Sequence, residues 1–164
     1  MTAGAHGYRE SSHLRTLPPR DLGTDVRNEP PRVRVVVHVD GGARGNPGPA
    51  AVGAVIATAA GDVLEEANET IGNATNNVAE YRALLLGLAR ARALGAREVE
   101  VVNDSELIAR QVCGQYKVKH EALKPLHAAA RQALEGFQTW SLRSVPRAQN
   151  ARADELVNAA LDAQ

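Results

Sequence analysis

Two apolar runs in this chain, Val33-Arg34-Val35-Val36-Val37-His38-Val39 and Val99-Glu100-Val101-Val102-Asn103, each end on an aspartate, Asp40 and Asp104. Valine, branched at Cβ, packs well on a pleated surface, so both runs read as buried strands. Between them Ala79, Leu84, Leu88 and Ala91, with Tyr81, Leu85 and Leu94, recur every three or four residues, and Gly95 supplies a stop. Two strands of one sheet joined through such a helix require a right-handed parallel crossover. If those strands are neighbours, both aspartates leave the sheet at the same edge, where open α/β sheets place their ligands.

Turn chemistry places the other elements. Gly41 to Pro49 reads as a turn, and Ala51–Thr58 and Val63–Ile71 flank Ala59-Ala60-Gly61-Asp62 as an antiparallel hairpin. The long helix runs from Asn76 to Leu94, and Glu98–Val102 is the fourth strand. Ser105–Val112 and Ala122–Leu134 are helices, Phe137–Val145 is the fifth strand and Ala151–Ala160 the last helix. The expected class is α/β, a mixed sheet with an antiparallel and a parallel half flanked by helices. Residues 1–31, rich in Gly, Pro and charge, are expected to form a flexible tail, leaving residues 32–164 as one folded domain.

Composition narrows the partners. The chain has 164 residues, 44% of them hydrophobic, but only one Phe, one Trp and three Tyr, so stacking on aromatic platforms cannot dominate binding. Nineteen basic and 19 acidic residues balance, so a nucleic-acid ligand needs a local basic patch and cations to offset the acidic cluster. Cys113 is the only cysteine, which excludes an intrachain disulfide and a Cys-based zinc site. No apolar stretch reaches the roughly 18 residues of a membrane helix, and the start lacks signal-peptide order; a cytoplasmic setting is expected.

Four acids stand at the boundaries of elements: Asp40, Glu80 one turn into the long helix, Asp104, and Asp154 in the first turn of the last helix. Carboxylates gathered in this way repel unless a multivalent cation sits among them. Oxygen ligation without Cys or paired His favours Mg²⁺ or Mn²⁺ over zinc. Two such ions roughly 4 Å apart form the usual clamp for in-line displacement at a phosphodiester. Taken singly, Asp40 and Asp104 also read as turn or cap residues, and Asp154 as a first-turn acid facing the helix dipole.

In order, Asp40-Gly41-Gly42-Ala43-Arg44-Gly45-Asn46-Pro47-Gly48-Pro49, Thr75-Asn76-Asn77-Val78-Ala79-Glu80-Tyr81, Asn103-Asp104-Ser105 and Asn150-Ala151-Arg152-Ala153-Asp154-Glu155-Leu156 resemble type 1 ribonuclease H from about Arg32 onward. The resemblance implies a five-stranded mixed sheet, strands 1 to 3 antiparallel and strands 1, 4 and 5 parallel. It implies hydrolysis of the RNA strand of RNA/DNA hybrids to 5′-phosphate and 3′-hydroxyl ends. Asp40, Glu80, Asp104 and Asp154 match the family's metal-binding carboxylates, with two Mg²⁺ or Mn²⁺ ions when substrate is bound. Gly41, Asn46, Asn76 and Asn77 match positions lining the minor groove, and Thr75 part of a DNA-phosphate pocket. Neutral amides suit 2′-hydroxyls displayed in a wide, shallow groove, although Asn and Thr are also ordinary before a helix. A monomer is expected, and some relatives carry a fused C-terminal phosphatase domain.

Three departures stand out. Many relatives have a His in the loop before the last Asp; here Pro146 to Ala153 contains none, and Arg147 is the nearest match, as in a subgroup with Arg in this loop. Arginine accepts no proton at neutral pH, so Arg147 would act by holding phosphate, or stand as a solvated charge. Gly114 to His120 is too short for the family's basic protrusion, leaving Lys117 and Lys119 as a reduced substitute or as ordinary surface lysines. Glu106 stands where a neutral amide is found in some members. His38, His120, His127, Cys113, Trp140 and Leu142 read as packing or surface residues. Two other functions stay open: a nuclease of all-DNA substrates on the same architecture, and a hybrid-binding module without catalysis.

Overall fold

The computed structural model describes residues 33–164; the tail expected over residues 1–31 lies outside the described residues. Strands β1 (Arg34–Ala43), β2 (Gly48–Thr58) and β3 (Val63–Ala74) form an antiparallel meander. Helix α1 (Asn76–Ala93) then crosses the sheet to β4 (Glu98–Asn103), which pairs parallel to β1. Helices α2 (Glu106–Val112) and α3 (Lys124–Glu135) lead to β5 (Thr139–Ser144), parallel to β4, and α4 (Ala151–Asp162) closes the fold. The sheet order is β3-β2-β1-β4-β5, the expected mixed arrangement. Among the described residues no helix is long and apolar enough to cross a membrane.

Alternation along the strands divides the core between two faces. Val35, Val37, Val39, Ala54, Ile56, Val99, Val101, Trp140 and Leu142 pack with Tyr81, Leu84 and Leu88 of α1 and with α2 and α3. On the other face Ala51 packs with Val157 and Leu161 of α4. Helix α1 begins where the Thr75 side chain accepts from the Val78 N–H at 3.2 Å, and it ends before Gly95, whose φ is +89°. Tyr81 donates to Gln111 Oε1 at 2.8 Å, and His127 Nε2 donates to the Gln111 carbonyl at 3.0 Å, which ties α1, α2 and α3 together.

The segment read as a turn is half strand. Gly41, Gly42 and Ala43 pair with Val52, Ala51 and Ala50, and the true turn narrows to residues 44–47, closed by the Arg44 N–H donating to the Pro49 carbonyl at 2.8 Å. Close packing, rather than turning, accounts for Gly41: a Cβ there would lie 2.1 Å from the Ala79 carbonyl oxygen, whereas one on Gly42 would make only ordinary contact with Val157 at 3.9 Å. The third strand runs three residues beyond Ile71, to Ala74, because Gly48 and Pro49 supply it with partners. The fifth strand is shorter than expected; Phe137 is buried but precedes its first pair.

Gly87 lets α1 approach the sheet: a Cβ there would stand 2.6 Å from Val39 Cγ1 and 2.7 Å from Val37 Cγ1. Alanine is the better helix former by about 1 kcal/mol, but overpacking a stiff valine pair costs about 1–3 kcal/mol. Gly87→Ala is therefore expected to lower Tm by a few degrees in thermal denaturation; a rise would show that helix propensity outweighs the contact.

Candidate active site

Pairing between β1 and β4 ends at His38 with Val102, and Asp40 and Asp104 each lie two residues further on. Both therefore project from the same side of the sheet at the point where the strands part. Helix α1 brings in the third carboxylate from the opposite face, because the missing Cβ of Gly41 lets its first turn press against β1. One oxygen each from Asp40, Glu80 and Asp104 lies within 4.8 Å of the others. Asp40 is not a strand-end residue as the sequence suggested: β1 continues past it, and its side chain is only 6% exposed. Ser105, not Asp104, caps α2 by accepting from the Ile108 N–H at 3.2 Å.

Asp154 stands outside this trio but lines the same cleft of about 350 Å³, together with Asp40, Glu80, Asn76, Arg44 and Arg147. Arg147 projects from a 3₁₀ turn, Arg147–Asn150, that precedes α4. Its charge favours the ionised forms of Asp40, Glu80 and Asp104 alike. Sequence reasoning missed Arg44, whose guanidinium pairs with Asp162 at 2.8 Å and donates to Asn158 Oδ1 at 3.3 Å. The glycine-rich surroundings had marked it only as a turn residue.

The candidate contact residues lie beside the cleft. Asn46 Oδ1 accepts from the Asn76 N–H, and Asn76 Oδ1 accepts from the Ala43 N–H, both at 2.9 Å, so the two amides clamp the turn to α1. Their oxygens are spent inside the protein, and among the described residues neither Nδ2 donates a hydrogen bond. Asn46, Thr75 and Asn77 line one depression. Asn77 also lines a groove of about 620 Å³ with Tyr116, Lys117 and Lys119. Glu106 is held by Arg110 at 2.7 Å. His120 caps the 3₁₀ turn Glu121–Leu123 before α3, its Nδ1 accepting from the Ala122 N–H at 3.3 Å. Cys113 is half-buried, its thiol pushed up by burial.

Residues 38–160 match the family described as reverse transcriptase-like. A bifunctional protein of Mycobacterium tuberculosis is 49% identical over 132 residues, 80% of this chain; the chain spans 36% of that relative's length. The crystal structure of ribonuclease H1 from the archaeon Halobacterium salinarum is 45% identical, with a TM-score of 0.79, covering 80% of this chain and 99% of that one. A compost-derived ribonuclease H1, solved in complex with an RNA/DNA hybrid, is 47% identical with a TM-score of 0.75, covering 78% of this chain and 96% of that one.

Burial and mutual repulsion act together on the trio. Glu80 is pushed up to about 9, first by burial and then by Asp40 and Asp104, against the Arg147 charge and a hydrogen bond from the Gly41 N–H. Asp40 is pushed up to about 7 by burial, by Asp104 and by Asp154. Burial also raises Asp104, whose Oδ2 is buried without a hydrogen-bond partner among the described residues. Carboxylates this hard to ionise, with an oxygen left unpartnered and no Cys or His among them, fit a hard divalent cation.

The pH dependence of the metal-free protein follows. Its native state keeps protons that the unfolded chain releases near pH 4, so stability falls as pH rises from there through about 7 for Asp40 and about 9 for Glu80. Glu80→Gln removes the larger part of that loss. In chelator-treated protein it is expected to add about 1–3 kcal/mol at neutral pH and to flatten the dependence of Tm on pH between 5 and 9. A lower Tm with an unchanged pH slope would show that Glu80 is compensated within the protein itself.

Proposed function

Since the chain belongs to the ribonuclease H family, we propose that it hydrolyses the RNA strand of RNA/DNA hybrids, leaving 5′-phosphate and 3′-hydroxyl ends. The observation that carries this reading is the convergence of one oxygen each from Asp40, Glu80 and Asp104 within 4.8 Å, two of these acids, Asp40 and Glu80, lining a cleft shared with Asp154 and Arg147. Asp40, Glu80 and Asp104 would hold Mg²⁺ or Mn²⁺, with Asp154 completing a second position. When bound, such ions neutralise charge on the phosphodiester and make water a better nucleophile at neutral pH. The guanidinium of Arg147 orients the phosphate by charge-assisted hydrogen bonds and moves no proton, in place of the histidine found in many relatives.

Substrate selection rests on the surface beside the cleft. The exposed residues Asn46 and Asn76, whose Nδ2 groups donate no hydrogen bond among the described residues, and with them Asn77, suit 2′-hydroxyls and base edges of a shallow minor groove, beside Gly41. Thr75 and the Lys117–Lys119 groove would take the phosphates of the second, DNA strand, a reading supported by Asn77 bordering both depressions. The mycobacterial relative's two functions and greater length support a fused second domain.

Purified protein with Mg²⁺ or Mn²⁺ is expected to cut labelled RNA/DNA hybrid but neither duplex DNA nor duplex RNA. Cleavage of all-DNA duplex would point instead to a nuclease of another specificity on this architecture. Asp104→Asn is expected to abolish cleavage while hybrid binding persists, since the fold keeps its shape and loses one charge. Arg147→Ala should slow turnover by about 10- to 100-fold, the worth of one or two charge-assisted hydrogen bonds; unchanged kinetics would leave Arg147 a solvated charge.

A further inference from the structure

Asn150 belongs to the same short turn as Arg147, which is exposed, yet Asn150 itself is only 2% exposed. Its Nδ2 donates to the carbonyl of Val39 at 2.9 Å, across 111 residues of sequence. Val39 immediately precedes Asp40 and lies one residue past the last β1–β4 pair. The carboxamide also favours the charged forms of Asp104 and His38, and its Oδ1 is buried without a hydrogen-bond partner among the described residues. A single amide therefore sits where the ladder between the two central strands lapses, bonded to the backbone that carries one acid and acting on the charge of the other.

We propose that Asn150 is a positioning residue for the acidic centre: it sets the spacing of Asp40 and Asp104 and fastens the Arg147 turn to them. The proposal rests on the hydrolytic reading above. The physical need is specific. Past Val102 no β1–β4 pair holds the end of β4 against β1, while the carboxylates there repel. A neutral donor can bridge the gap without removing the negative charge that a cation requires, whereas Lys or Arg would neutralise it. Asparagine has the reach to bond the Val39 carbonyl and approach Asp104; serine is too short for both, and aspartate would add repulsion.

The test pairs Asn150→Ser and Asn150→Asp with wild-type protein. Calorimetric titration with Mg²⁺ in the absence of nucleic acid is expected to show about 10- to 100-fold weaker binding in both variants, the usual loss when a group supporting a metal ligand is removed. Steady-state cleavage of hybrid should show kcat reduced at least tenfold with KM for hybrid nearly unchanged. A role confined to folding would lower Tm but leave Mg²⁺ affinity and kcat per folded molecule at wild-type values, and that result would overturn the proposal. Should neither variant fold, ¹⁵N spectra of the wild-type protein decide. The Asn150 side-chain NH₂ signals are expected to be protected from exchange and to shift as Mg²⁺ saturates the site; signals indifferent to Mg²⁺ would overturn the proposal. Failure of the hydrolytic reading is separately visible, because wild-type protein would then bind Mg²⁺ without cutting hybrid.

Discussion

Repulsion among Asp40, Glu80 and Asp104 is the constraint around which the local structure is arranged. Two of them come from strands that stop pairing just before they diverge, and the third comes from a helix pressed against that gap. Among the described residues none of the three has a basic side chain bonded to it, so these residues carry a standing electrostatic cost there. Arg147 at the rim reduces that cost from outside, and on the proposed reading a divalent cation would remove it, so that some stability without ions is given up for a site that ions would complete.

Glycine and asparagine do the spatial work. Gly41 admits the first turn of α1, and Gly87 allows the rest of that helix to lie close on Val37 and Val39. Asn46 and Asn76 bind the β1–β2 turn to the start of α1 through backbone groups, so the surface flanking the carboxylates is set by the same contacts that set Glu80. Asn150 holds the last helix and its preceding turn to β1. Polar residues of no net charge suit these positions, since a cation there would compete with the ions and another anion would deepen the repulsion.

Much of this was legible in the sequence because the signals were local. Valine-rich runs ended by Asp40 and Asp104, with one long helical pattern between, lead directly to a parallel crossover and a shared edge. The errors have a common physical origin. Gly41 and Gly42 read as turn residues because glycine marks turns when nothing nearby shows that the strand continues and that a helix presses on Gly41. The extension of β3 to Ala74 depends on partners at Gly48 and Pro49, which its own residues do not announce. Asn150 appeared only as one letter of a motif, because its partner at Val39 is 111 residues away. Arg44 was hidden for the same reason, since Asn158 and Asp162 lie at the other end of the domain.

The most direct measurement is anomalous diffraction from crystals of the protein grown with RNA/DNA hybrid and soaked in Mn²⁺. Anomalous peaks at coordinating distance from carboxylate oxygens of Asp40, Glu80 and Asp104, beside a phosphate of the RNA strand, are the expected result. A hybrid seated elsewhere on the surface, or Mn²⁺ bound only away from these three side chains, would contradict the account at its root.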